Sequence, residues 1–198
     1  DSKHITGRIF NYLEKVLKEN ILIPFELKNL DQKYSDEVSN LFDKNKKYIG
    51  FSITAGHPTR KKEIPIETII KVANYFDKKN LVPTFLVEEK YKSLITKIKD
   101  GVKNSFFPEH KANDSLKNPF LVIAIGKKLQ SAISIDNGIL HMLALAGTKI
   151  AVFFNENQSS EKFRPLNLPK TKIYSASKHK KLDHLEPNDI INFVSDFF

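Results

Sequence analysis

Cysteine is absent from the 198 residues, so the chain has no disulfide and no thiolate metal site; this fits a reducing compartment. Tryptophan is absent too, and methionine occurs once. Glycine is scarce, at seven residues, and none of it forms a G-x-G-x-x-G fingerprint or a phosphate loop ending in Lys-Ser/Thr. Hydride transfer and nucleoside triphosphate hydrolysis are therefore not expected. The six histidines (His4, His57, His110, His141, His179, His184) lack metal-ligand spacing, so neither a metal nor a cofactor is expected. No serine stands in a nucleophile-elbow context. No apolar run approaches the ~20 residues of a membrane helix, and the polar, amphipathic first residues do not read as a signal peptide. Asp1 in place of an initiating methionine suggests a piece of something longer.

What the chain has in quantity is lysine. Net charge is +9 and the pI is near 9.5, yet only three of the 32 basic residues are arginine (Arg8, Arg60, Arg164). A basic balance suits polyanionic partners, but so strong a preference for lysine reads as a solvated surface. Without clustered arginine or aromatics interleaved on a strand face, a nucleic-acid partner is not expected. The 40% hydrophobic content, with fifteen phenylalanines, is enough for a real core.

The densest pattern is Ser131–Phe154, SAISIDNGILHMLALAGTKIAVFF. Apolar runs Ala132–Ile135 and Ile150–Phe154 flank Asp136-Asn137-Gly138. Asn-Gly favours two-residue hairpin loops, but Ile139, Leu140, Leu143, Ala144 and Ala146 then recur at helical spacing until Gly147 closes the helix. The segment reads strand–turn–helix–strand, a βαβ unit of a parallel sheet.

The same alternation runs through the rest of the chain. A helix is expected over His4–Lys18, with Ile5, Ile9, Leu13, Val16 and Leu17 on one face. Ile21–Leu27 reads as extended, and Asp31–Lys47 as a second helix with Val38, Leu41 and Phe42 as its stripe. Tyr48–Ile53 is the first strand, followed by a polar loop, Thr54–Lys62. Pro65 opens a helix over Ile66–Lys79; strand Leu81–Val87 leads to helix Glu89–Lys99. Further on come a short strand at Ser105–Phe107, a helix at Pro119–Lys128, a loop from Phe154 to Pro169, a strand near Ile173–Tyr174 and a last helix from Pro187 to Phe198. Residues 1–47 read as a helical connecting segment. Residues 48–198 read as an α/β, Rossmann-like doubly wound parallel sheet with flanking helices. Such sheets bind ligands where loops leave the carboxyl ends of strands.

The chemistry at those loops suits an anion. Asn137 would cap the helix, its first-turn N–H groups would favour a diphosphate, Gly138 would let it approach, and His141 stands on the same turn. A plain cap with a half-buried histidine is the alternative. Thr54, Gly56 and the Arg60-Lys61-Lys62 run form a candidate phosphate grip, or else a solvated loop. Arg60 and Arg164 fall in loops on the ligand edge, where arginine suits phosphate. Glu88 and Glu89 could accept from ribose hydroxyls, or serve as carboxylates at a helix N-terminus.

Taken in this order, these loops resemble the C-terminal half of the lipopolysaccharide heptosyltransferases, two-domain glycosyltransferases of the GT-B type. Their Asp-Ser/Thr-Gly-x-x-His motif between strand and helix is matched by Asp136-Asn137-Gly138-Ile139-Leu140-His141, and Ala144, Gly147 and Ala151–Phe154 continue the match. Their Lys-x-Trp-Pro is echoed by Lys62-Glu63-Ile64-Pro65. The resemblance covers roughly Tyr48–Pro165. Asn137 stands for the hydroxyl residue, Ile64 for the tryptophan, and Asn155-Glu156 for a late glycine-proline. The resemblance implies a metal-independent inverting transferase and a nucleotide-sugar donor, ADP-heptose for preference. Asp136, Asn137, Gly138 and His141 would meet the diphosphate and sugar, Lys62 would offset leaving-group charge, and Glu89, or else Glu88, would hold the ribose. It implies an anionic lipid or saccharide acceptor in lipopolysaccharide core synthesis. It further implies a cytoplasmic setting with peripheral contact at a bacterial inner membrane. The acceptor domain, with the catalytic base, would precede this half, leaving the chain inactive alone. The competing expectation is a non-catalytic nucleotide-sugar-binding module of the same fold.

Overall fold

The computed structural model describes residues 5–18, 27–55, 63–155, 157–165 and 170–198. Five strands, β1 (Lys47–Ser52), β2 (Leu81–Phe85), β3 (Ser131–Ile135), β4 (Lys149–Phe154) and β5 (Thr171–Ser175), form one sheet in the order β2-β1-β3-β4-β5. Every pairing is parallel, with Phe51 beside Phe85 and Ser52 beside Ser134. The strands are rich in β-branched and aromatic residues and are nearly continuously buried, as expected of a sheet covered on both faces.

Alternate strand residues build two cores. Ile49, Phe51, Phe85, Ile133 and Phe153 meet α3 (Ile66–Asp77), α4 (Lys92–Gly101) and α9 (Pro187–Val194). Tyr48, Ala132, Ile150, Val152 and Phe154 meet α2 (Gln32–Leu41), α6 (Pro119–Gly126) and α7 (Gly138–Leu145). Tyr34 and Val38 of α2 are buried in this second core. Before the sheet in sequence comes α1 (Ile5–Leu17).

The second helix ends at Leu41 rather than Lys47 and the last at Val194 rather than Phe198, and three larger details differ from the expectations. α4 begins at Lys92 rather than Glu89, because residues 88–91 form a turn closed by the Tyr91 N–H on the Glu88 carbonyl (3.0 Å). The span expected to be loop after Phe154 holds α8 (Asn157–Phe163), whose polar sequence carries no apolar stripe to betray it. Ser105–Phe107 contributes one parallel bridge, Phe106 to Thr84, on the outer side of β2. There the Pro83 carbonyl accepts from the Phe106 N–H (2.8 Å), and proline's missing donor is tolerated at the sheet edge. Most of the expected extended Ile21–Leu27 lies outside the described residues.

Candidate functional site

The strand order fixes where a ligand crevice must lie. From β1 the chain crosses to β2 on one side, whereas β3 leads to β4 on the other. The loops leaving β1 and β3 therefore diverge, and open α/β sheets bind ligands at that switch point.

Asn137 spans the divergence. It is the N-cap of α7 in extended backbone (φ −147°, ψ 178°), and its Oδ1 accepts from the Leu140 N–H at 3.0 Å. Its Nδ2 donates to Ser52 Oγ at 2.8 Å and to the Thr54 carbonyl at 3.1 Å. Asn137 thus spends its amide on tying the end of β1 to the start of α7. It holds the site in shape rather than reaching out of it. Ser52 is fully buried and Thr54 nearly so. With the Leu140 N–H satisfied, those of Gly138 and Ile139 remain without a partner among the described residues. They open the positive end of α7 toward the crevice. A Cβ added at Gly138 would meet nothing within 4 Å, so protein packing does not demand glycine there. His141 is exposed one turn into the helix, and Asp136 is half-buried just before the cap.

The exit of β2 is held differently. Rings of Phe51, Phe85, Phe107 and His110 stack in a column, with centroids 5.1, 5.5 and 5.1 Å apart. The column brings α5 (Pro108–Lys111) against the strand end. His110 Nε2 sits 2.7 Å from the Val87 carbonyl, so that nitrogen carries the proton. Glu88 pairs with Lys90 (2.7 Å) and Glu89 with Lys117 (2.8 Å), which also holds Asp114 (2.8 Å). Asp114 and Glu89 push the Lys117 ammonium up to about 12, and Lys117 in turn draws the Glu89 carboxyl below its ordinary range. Burial, reinforced by the Glu88 charge, raises Glu109 to about 7. The two glutamates offered for ribose are therefore exposed carboxylates already matched to lysines.

A cleft of about 650 Å³ opens beside the same edge, between Ile53 and Ile64 at the β1 exit, Tyr91 just ahead of α4, and Lys92 and Lys97 of α4. Arg164 follows α8 beyond β4, half-buried. Gly56, Arg60 and Lys62 lie outside the described residues. The structure therefore brings together Thr54, Asp136, Asn137, Gly138 and His141 at the switch point, with Glu88 and Glu89 at the neighbouring strand end. Sequence reasoning missed Ser52, Glu109, His110 and Lys117. Of these, only Ser52, a small polar residue inside an apolar strand, left a readable trace.

Known proteins with this fold are found by shape. No protein-family model and no curated protein matches the sequence. A glycosyl transferase of family 9 from Veillonella parvula superposes with a TM-score of 0.79 at 14% identity, over 100% of this chain and 60% of its own. E. coli ADP-heptose lipopolysaccharide heptosyltransferase II gives 0.70 at 13% identity over 90% of this chain and 55% of its own. E. coli heptosyltransferase WaaC, solved with ADP, gives 0.73 at 12% identity over 100% and 58%. The chain shares the fold of these glycosyltransferases. It spans rather more than half of their length. Among the described residues no helix is long and apolar enough to cross a membrane, and no group of three or more His, Asp or Glu side chains is placed to hold a metal.

Proposed function

We propose that this chain is the donor-binding half of a heptosyltransferase-type glycosyltransferase, and that its ligand is a nucleotide-sugar diphosphate, ADP-heptose for preference. One observation carries the reading. At the switch point Asn137 locks the β1 exit to α7, and beside it stand the first-turn N–H groups of Gly138 and Ile139, unpartnered among the described residues, and a Gly138 whose missing Cβ would meet nothing within 4 Å. That is a rigid, anion-favouring edge with room for a phosphate against the backbone. The matching fold of an E. coli heptosyltransferase solved with ADP supports the choice of nucleotide.

In this reading the diphosphate lies against the first turn of α7, with His141 beside it and Asp136 toward the sugar. Glu89 or Glu88 meets the ribose, and Arg60 and Arg164 stand by as further phosphate contacts. The acceptor hydroxyl attacks the anomeric carbon from the face opposite the diphosphate. The carbon–oxygen bond to the diphosphate breaks, and its electron pair leaves with the nucleotide, inverting the centre. Lys62 offsets the charge that builds on that leaving group. The hydroxyl proton passes to a base on an acceptor domain outside this chain, so the chain binds donor and transfers nothing. The acceptor is an anionic lipid or saccharide of the lipopolysaccharide core, and the setting is the cytoplasmic side of the membrane.

Titrating ADP into the isotope-labelled chain tests the reading. The backbone amides of Gly138 and His141 are expected to shift, and those of α9 to stay put. If neither moves at millimolar ADP, the donor-site reading fails. If UDP or GDP moves them at lower concentration than ADP, the choice of base is wrong.

A further inference from the structure

A second cleft, of about 900 Å³, opens at the amino ends of β1 and β2, a strand length or roughly 17 Å from the crevice at their carboxyl ends. Three connections wall it: the turn from α2 into β1, the turn from α3 into β2, and the segment around Phe106 that borders β2. Its aromatic lining is fixed in place. Tyr48 and Phe106 pack with Phe42 at ring-centroid distances of 4.6, 5.1 and 5.8 Å, and the Tyr48 hydroxyl accepts from the Asp43 N–H at 2.9 Å.

Lysine crowds this cleft. Five of its fifteen described lining residues are Lys46, Lys47, Lys78, Lys79 and Lys111, a third of the lining, whereas the whole chain has 29 lysines in 198 residues. Only two carboxylates share it, Asp43 and Asp77, which leaves a net lining charge of +3. Both acids are engaged in shaping the walls. Asp77 accepts from Asn104 Nδ2 with each oxygen (3.0 Å), and Asp43 accepts from the Asn45 N–H at 2.9 Å, with Lys46 no nearer than 4.0 Å. Lys79 and Lys111 lie over the rings of Tyr75 and Phe106, at 5.8 and 5.4 Å. Among the described residues Lys47, Lys78, Lys79 and Lys111 form no ion pair. The donor edge is the contrast, for there Glu88 holds Lys90, and Glu89 and Asp114 hold Lys117. Like charges gathered without counter-charges repel one another and oppose the compact state. An anion arriving from outside removes that repulsion.

We propose that this cleft is a second anion site, for a group carrying two or more phosphates. Ammonium groups on flexible stems act as point charges that adapt to several phosphate oxygens. A net charge of +3 exceeds what a single phosphate neutralises, and the volume is that of a small-molecule site. A free polyphosphorylated molecule and a bisphosphate lipid headgroup present this same chemistry. The proposal does not rest on the donor reading, because the cleft shares no residue with the switch point.

Inorganic pyrophosphate, titrated into the isotope-labelled chain at about 150 mM salt to screen long-range attraction, should shift the amides of Lys47, Asn80 and Asn104 along a saturable curve. Lys47→Gln with Lys78→Gln and Lys79→Gln should weaken that binding tenfold or more. The thermal midpoint should hold or rise, since three exposed, mutually repelling charges are gone. The charge-matched variant Lys71→Gln with Lys92→Gln and Lys97→Gln, on α3 and α4 outside the cleft, should stay within twofold of wild type. Cardiolipin-containing vesicles then distinguish the sources. Sedimentation of wild type but not of the cleft variant, reversed by pyrophosphate, identifies a headgroup. Saturable pyrophosphate binding without such selective sedimentation identifies a free molecule. Three results would overturn the proposal: no saturable shift at millimolar pyrophosphate, equal losses in the two triple variants, or shifts of the same size and midpoint with sulfate, a lone dianion. The Gly138 and His141 amides report the donor crevice separately, so either idea can fail while the other stands.

Discussion

Two adjacent residues at the mouth of α7 divide the work of the site. Asn137 caps the helix and ties it to β1 through Ser52 and Thr54. Asn137→Ala loses the cap, worth about 1 kcal/mol, and leaves the buried Ser52 hydroxyl short of a partner, so a stability loss of about 2 kcal/mol is expected in urea unfolding. Gly138→Ala should behave in the opposite way. The added methyl meets no protein atom, and alanine suits a helix better than glycine. Stability should therefore hold or rise slightly while ADP affinity falls by tenfold or so, because the methyl occupies the line of approach. Equal ADP affinity for Gly138→Ala and wild type would mean that the phosphate does not lie there. Glu109 supplies a pH signature. Its folded-state carboxyl titrates near 7, above the ordinary glutamate value, because burial and the Glu88 charge oppose ionisation while Lys117 favours it. Its stability contribution is therefore complete below about pH 4.5 and is lost as pH rises through 7. Glu109→Gln should match wild type near pH 4.5 and exceed it by about 2 kcal/mol at pH 8. A constant difference across that window would show that Glu109 titrates normally.

Between elements, close approach does what side-chain bulk does elsewhere. α6 and α7 cross where a Cβ on Gly126 would come within 2.7 Å of the Ala146 Cβ, and Thr148 Oγ1 donates to the Gly126 carbonyl at 2.8 Å. Gly126→Val should destabilise the chain by about 2–3 kcal/mol in thermal or urea unfolding, and its cost should be felt at the site, because α7 carries the cap. The βαβ unit behind that cap was legible from sequence since its period changes abruptly at Asp136: a run of buried strand residues gives way to apolar residues at helical spacing. The parallel sheet followed from the same alternation, strand by strand. α8 was not legible, because Asn157–Phe163 has almost no apolar residue and its helicity is decided by its neighbours rather than by its own pattern. That Ile9, Tyr12, Leu13, Val16 and Leu17 of α1 stand exposed was invisible for a related reason: periodicity says which residues share a face, not what that face meets. The surroundings of the β2 exit were less legible. Glu88 and Glu89 were found, but Lys117, twenty-eight residues after Glu89, comes beside it only through the loop and turns between α5 and α6. The column of rings from Phe51 to His110 likewise joins positions that no local window links.

Across the whole molecule the charge of +9 comes from lysines scattered along the chain, and its meaning depends on range. Single surface ion pairs such as Glu88–Lys90 are worth little, but a diphosphate entering the crevice feels the summed field of the body as well as the end of α7. That field is screened over about 10 Å at 0.1 M salt and over a few ångströms at 1 M. ADP binding should therefore weaken several-fold between 50 and 500 mM sodium chloride, by isothermal titration or by the Gly138 amide shift. Adenosine, which keeps the base and ribose and lacks the charge, should bind weakly with almost no salt dependence. Lys62→Ala should weaken ADP and flatten its salt dependence while leaving adenosine unchanged, whereas Lys149→Ala, at the opposite end of the sheet, should alter neither. If ADP and adenosine respond to salt alike, the diphosphate is not what this edge recognises, and the lysines are only a solvated coat.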